Sequence, residues 1–212
     1  MREFIHESEY RGAAEIQKLA SFKLVLAGAG AIGSNLAYNL ARQGFQSLAV
    51  IDFDRVAAEN TSTQCYSRKD IGAMKVAALG AMLFRDLGVS VTEIGKKLEP
   101  HNVVKFLGGH DLILDCLDNS AGRQTVHGFA QGGAACLHIG LEDGYGECIW
   151  EPGYKVPGDP PKQEGPCDLP LARNLILLTV AVASEATVDF ALRGERKSWA
   201  VTLRDRKVSE LK

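Results

Sequence analysis

The sequence predicts an α/β fold of the Rossmann-like type: a mostly parallel sheet with helices on both faces, plus a Pro/Gly-rich loop and a C-terminal apolar helix. Three observations carry that prediction. Short apolar runs alternate with stretches of helical spacing, the pattern of strands covered on both faces and joined by crossover helices. The first strand and helix meet at GxGxxG, within "FKLVLAGAGAIGSNLAYNLARQG". Six of the seven prolines fall in 151–170, so that stretch is a loop or lid between the sheet region and the helix after it.

Taken in order, 13–20 reads as a short amphipathic lead-in helix and 22–28 as a buried strand ended by glycine. Helical spacing over 32–43 stops at Gly44, and "SLAVIDFD" (47–54) is the second strand, which completes a βαβ unit. The polar stretch 55–72 reads as a loop over the sheet edge, and 73–88 as a helix. A third strand and turn follow at 89–98, a short helix at 101–109 and a strand at 110–119. Beyond these, 121–133 suits a helix and 134–150 a strand or hairpin. The tail "SWAVTLRDRKVSELK" looks like an edge strand with a charged end.

At 212 residues the chain suits a single domain, with a core over about 20–150, a crossover loop at 151–170 and a helix and tail at 171–212. A net charge of −2 gives no reason to expect nucleic acid or an anionic membrane. Five cysteines without a CxxC pair suggest neither a disulfide framework nor a structural zinc. The five histidines show no metal spacing and read as structural. The charged start lacks the apolar run of a signal peptide, and the apolar run "LILLTVAVA" is too short to span a bilayer. These features together predict a cytoplasmic protein.

Gly28, Gly30 and Gly33 stand where a phosphate-binding turn needs them: for the tight turn, for approach of phosphate to the backbone, and for close packing of the helix. Asp52 and Asp54 lie about twenty residues on, where a carboxylate holds a ribose hydroxyl. That geometry serves NAD, FAD and adenylate alike. No substrate domain follows it, which argues against an NAD(P)- or FAD-linked oxidoreductase. Phosphate chemistry also needs a cation and a metal-binding carboxylate, and the chain offers Lys75 and Asp118 after strand ends.

The ordered motifs "GAGAIGS", "IDFDRVAAEN", Gln64, "DIGAMK" and "DCLDN" followed by Arg123 resemble the E1-like, or ThiF/MoeB/HesA, adenylating family. The resemblance is strong over roughly 22–145. It implies ATP-dependent adenylation, with magnesium, of the C-terminal carboxylate of a ubiquitin-like (β-grasp) or sulfur-carrier protein, with release of pyrophosphate. On this resemblance Gly28, Gly30 and Gly33 cradle the nucleotide and Asp54 holds the ribose with help from Asp52. Asn60 and Gln64 line the phosphates, Lys75 faces the triphosphate, Asp118 holds magnesium and Asn119 shapes the loop beside adenine. It also implies a homodimer.

Two departures matter. Where the family has "NLxRQ" this chain has "NTSTQ", so Thr63 replaces a phosphate-contacting arginine; Arg68, or Arg2 or Arg11 near the N-terminus, is the expected substitute. The alternative is a catalytically reduced nucleotide-binding or partner subunit. Cys167 in the proline-rich loop is the candidate thiol for taking the activated acyl group as a thioester, with Cys148 a weaker one.

Overall fold

The computed structural model describes residues 4–158 and 171–212. Cys167 therefore lies outside the described residues. Eight strands form one sheet in the order β3-β2-β1-β4-β5-β6-β7-β8. Strands β1 (Lys23–Ala27), β2 (Ser47–Ile51), β3 (Val91–Ile94), β4 (Leu112–Asp115) and β5 (Cys136–Glu142) run parallel. Strands β6 (Tyr145–Trp150), β7 (Ser198–Thr202) and β8 (Lys207–Leu211) continue the sheet antiparallel.

Strand alternation splits the core into two layers. Leu24, Leu26, Leu48, Val50, Leu112 and Leu114 pack into one cluster, while Val25, Ala27, Ala49, Ile51 and Ile113 pack into the other. The first cluster includes buried residues of α2 (Ala13–Ser21), α3 (Ala31–Arg42), α5 (Lys75–Leu87) and α8 (Arg173–Arg193). The second includes residues of α6 (Val103–Leu107) and α7 (Ser120–Ala130). Apolar side chains thus leave the central strands in both directions, which is why their sequences read as continuous apolar runs.

The structure refines several expectations. A helix not anticipated from the sequence, α1 (Ile5–Arg11), precedes α2. The loop after β2 holds a one-turn helix, α4 (Asn60–Thr63), and a 3-10 turn at Arg68–Asp70. The 134–150 stretch resolves as the hairpin β5–β6, turned by Asp143 and Gly144, both at positive φ. The tail forms two strands rather than one, with the antiparallel pair β7–β8 as the sheet edge.

The apolar run weighed in the sequence grows into the 21-residue α8, which by length and composition alone could cross a membrane. In the fold 56% of its apolar window is buried, against α3, β6 and β7 in particular. That burial is what a core helix of an α/β layer requires.

Candidate functional site

The chain leaves β1 through Gly28, whose φ of +99° needs glycine, and whose added Cβ would lie 2.8 Å from the Cys116 carbonyl oxygen. Helix α3 begins straight after, and a Cβ on Gly33 would sit 1.9 Å from the Gly28 oxygen, so only glycine lets the helix close on the turn. Gly30 has open space where a Cβ would be. No side chain caps α3, and its first amides face the loop. Gly28 thus makes the turn and Gly33 the close packing of α3, while Gly30 leaves open space beside them.

Two side chains brace this turn. Asp52 accepts hydrogen bonds from the amides of Ala29 (2.7 Å) and Asp54 (2.8 Å), so its carboxylate is spent on the loop. Burial pushes the Asp52 carboxyl up, against the opposing pull of Lys75 and the two amides. Tyr66, buried, donates to the Ala29 carbonyl at 2.8 Å, and desolvation raises its hydroxyl as well, with Asp52 adding to the effect.

Lys75 opens α5, and a bridge between Arg55 and Met74 brings that helix start against the end of β2. Its amide donates to the Asp54 carbonyl at 2.9 Å, and Nζ meets Asp54 Oδ2 at 3.0 Å. The lysine is buried and Asp54 is half exposed, so the pair presents its carboxylate side to solvent. Beyond the end of β4, Asp118 is exposed, and among the described residues its Oδ1 accepts only a long 3.4 Å contact from Asn119 Nδ2. Asn119 is the N-cap of α7, accepting from the Gly122 amide at 2.9 Å.

These groups surround one crevice outside the carboxyl ends of β1, β2 and β4, where ligands of open parallel sheets sit. The space among these groups, open solvent at the mouth included, is about 650 Å³. Gly28, Gly30, Asp52, Asp54, Lys75, Asp118 and Asn119 all line the crevice, with Leu98, Leu117 and Phe53 as apolar walls. Lys96 and Lys97 line it too. Sequence reading passed over both because exposed lysines in a surface turn look like ordinary solvated residues.

Asn60, Gln64 and Arg68 are not among the lining residues. Asn60 Oδ1 accepts from the Ala57 amide and shapes the start of α4, and Arg68 is exposed in its 3-10 turn. Gln64 Oε1 is buried without a hydrogen-bond partner among the described residues. Thr63 turns its carbonyl towards Arg173 at the start of α8, which donates from Nη1 at 2.7 Å. That carbonyl also accepts from Asn35 Nδ2 (2.9 Å), which donates in turn to Ala31 O, in the first turn of α3 (2.7 Å). A guanidinium thus stands two hydrogen-bonded residues away from the glycine loop, supplied by an element remote in sequence. Arg11 is instead engaged by Glu7 and Glu185.

Cys148, Cys116 and Cys136 are buried, and desolvation raises each thiol, which makes them poor nucleophiles. Arg123 is also buried, donating to Tyr154 OH and to the Ile139 carbonyl, both at 2.9 Å, behind the crevice.

A sequence profile of the ThiF family matches residues 5–148. The molybdopterin-synthase adenylyltransferase of Escherichia coli is 28% identical over 113 residues, 52% of this chain and 45% of that protein. The adenylyltransferase and sulfurtransferase uba4 of Emericella nidulans is 34% identical over 112 residues, 51% of this chain and 23% of that protein. The chain thus spans less than half the length of these curated relatives. Among solved structures, Escherichia coli MccB with MccA-N7isoASN superposes with a TM-score of 0.82 at 17% identity, covering 99% of this chain and 70% of that one. PaaA gives 0.80 at 16% identity, covering 100% and 71%. At such identities these superpositions establish the shared fold.

Proposed function

The chain belongs to the ThiF family, and from that membership we propose that it uses ATP to adenylate the C-terminal carboxylate of a ubiquitin-like or sulfur-carrier protein, releasing pyrophosphate. The observation that carries this reading is the convergence of the glycine turn, the Asp54–Lys75 pair and Asp118 on one crevice. The adenylyltransferase activity in the relatives' names supports it.

In this reading the triphosphate lies on the amides of the Gly28–Gly30 turn and the start of α3, where partial positive charge meets it without a side chain. Asp54 accepts from the ribose hydroxyls, held in place by Lys75. The base occupies the slot between Leu98 and Leu117. A carrier carboxylate, already ionised near neutrality, attacks the α-phosphorus; the new C–O–P bond forms as the bond to the bridging α–β oxygen breaks. Charge on the departing pyrophosphate is the main obstacle, so cations decide the rate. Asp118 is an exposed carboxylate beside the phosphate turn, a hard oxygen donor that fits magnesium, and the ion would supply Lewis-acid charge neutralisation there.

Thr63 cannot supply the guanidinium that the family places at this position, and Arg173, seated on the Thr63 carbonyl, is our candidate for the replacement. Arg173 is exposed and, like Thr63, stands outside the lining of the crevice, so a phosphate would have to reach it from the glycine turn by way of α4. The thioester role of Cys167 and the homodimer remain parts of the proposal; Leu177, 43% exposed on α8, is one apolar residue that a partner copy would cover.

The test is magnesium-dependent ATP–pyrophosphate exchange against a panel of β-grasp carriers. We expect exchange with one carrier, a fall of about 10²–10³-fold in Asp118→Ala, and a fall of about tenfold in Arg173→Ala with partial recovery in Arg173→Lys. ATP binding without exchange for any carrier would favour the partner-subunit reading instead.

A further inference from the structure

Behind the crevice, at the ends of β4, β5 and β6, lies a second polar cluster that none of the adenylation chemistry uses. His127 of α7, His138 of β5 and Glu151 after β6 bring one ligand atom each to within 4.8 Å of one another. His138 is fully buried, Glu151 is 6% exposed and His127 is partly covered. None of the three lines the nucleotide crevice. Glu151 Oε1 is met from two sides, by His138 Nε2 at 2.9 Å and by His127 Nδ1 in closer contact. On the far side of the same ring, His138 Nδ1 lies 2.7 Å from Asp115 Oδ2.

Ionised carboxylates only accept, and a neutral imidazole carries one N–H. His138 has a carboxylate oxygen at each nitrogen, so a neutral ring can satisfy only one of them and leaves two lone pairs facing each other at the second. The second line therefore has room for a proton shared between ring and carboxyl, or for a metal ion in its place. The surroundings have the features of a ligand set. Metal-bound histidines hand their remaining N–H to a carboxylate or carbonyl that fixes the tautomer, as Asp115 does for His138. The outer nitrogen of His127 has its own neighbour, the Gln131 amide at 3.0 Å, which accepts once its oxygen is turned inward. Tyr154 stacks on His138 at 3.7 Å between ring centres and shields the cluster.

We propose that His127 Nδ1, His138 Nε2 and Glu151 Oε1 bind one divalent transition-metal ion of the zinc type. Two imidazoles and one carboxylate are a donor set for such an ion, at distances of about 2.0–2.2 Å from the metal. To admit it, the Glu151 oxygen withdraws by about half an ångström from His138 Nε2 and further from His127 Nδ1, and the ligand atoms, now within 4.8 Å of one another, settle at the roughly 3.4 Å that tetrahedral ligands at those bond lengths take. The three ligands belong to α7, β5 and the segment leaving β6. A metal here would therefore pin the root of the proline-rich stretch to the sheet, a structural clamp in a chain whose cysteines form no zinc motif. The inference does not depend on the adenylation reading.

The experiment uses tag-free, chelator-stripped full-length protein without nucleotide or magnesium, titrated with Co²⁺ and then Zn²⁺. Wild type is expected to bind one equivalent of Co²⁺ with the visible d–d bands of a four- or five-coordinate nitrogen–oxygen site, to lose them to Zn²⁺, and to melt at a higher temperature with Zn²⁺. His127→Phe keeps a ring against Tyr154 but removes the nitrogen, and should weaken Co²⁺ binding at least tenfold and abolish the Zn²⁺-dependent rise in Tm. Glu151→Gln should do the same, and if it does not fold, His127→Phe decides alone. Absence of saturable binding by wild type would overturn the site. Binding unchanged in His127→Phe would overturn it too, by placing the ion elsewhere.

Discussion

At the carboxyl end of β4 two aspartates of one short motif meet opposite surroundings. Asp115 has no exposed surface, and its oxygens are engaged by His138, by the Leu117 amide and, at 3.6 Å, by the Arg123 guanidinium. Asp118 is exposed at the crevice, with a single long contact to Asn119 among the described residues. The first is held by several polar partners and can contribute to stability; the second has no close hydrogen-bond partner among the described residues. Composition does not separate them. What separates them is that β4 ends at Asp115, so its side chain still obeys strand alternation, whereas Asp118 lies beyond the strand, in the turn before α7.

The largest effect should come from breaking the buried partner. Asp115→Ala leaves His138 Nδ1 and part of the Arg123 guanidinium without their acceptor, and is expected to cost about 3–5 kcal/mol, read as a lowered urea midpoint with unchanged slope. Asp118→Ala is expected to do the reverse: pyrophosphate exchange falls by about 10²–10³-fold while stability stays within about 0.5 kcal/mol of wild type. Equal losses of stability in the two variants would erase the distinction drawn between the two sites.

The sequence made the crevice more legible than the cluster behind it, for a physical reason. The glycine turn is local: GxGxxG, Asp52 and Asp54 lie on one βαβ unit, so periodicity and spacing place them together. Lys75 and Asp118 follow because parallel strands deliver all their carboxyl ends to one edge. The His127, His138 and Glu151 cluster is assembled from three elements whose side chains meet only once β5 and β6 pair, and no spacing in the chain encodes it. Arg173 was missed likewise, since a residue at the exposed start of a long apolar helix gives no sign of the neighbour it will meet. The hairpin turn at Asp143–Gly144 did carry a signal, an Asp-Gly pair between apolar runs, and the sequence reading left it open between strand and hairpin.

Next in size is a probe of the turn itself. In Gly33→Ala the new methyl would meet the Gly28 oxygen at 1.9 Å, and backbone, unlike a flexible side chain, cannot step aside cheaply. We expect a loss of about 1–3 kcal/mol, together with weaker ATP binding by calorimetry because the amides of the turn are displaced. Gly30→Ala is the matched control: a Cβ there meets no protein atom within 4 Å, so stability should hold while a bound phosphate loses its room.

The smallest effect tests how Asp52 is balanced between burial and its two amide donors. Burial raises its carboxyl in the folded state, outweighing Lys75 and the hydrogen bonds from Ala29 and Asp54. Between the ordinary aspartate value, about 3.9, and the raised one, the folded protein therefore holds this proton more often than the unfolded chain does. Stability then falls as pH rises through that window, stays at the lower level above it, and recovers as pH drops below it. Asp52→Asn cannot titrate, so any constant cost of the amide shifts its stability equally at every pH. The stability of wild type minus that of Asp52→Asn, from urea denaturation between pH 4 and 7, should accordingly decrease with rising pH before levelling off. A difference that instead grows with pH would mean that the two amides and Lys75 favour the carboxylate more than burial disfavours it, and that the turn is braced by a group held in its charged form.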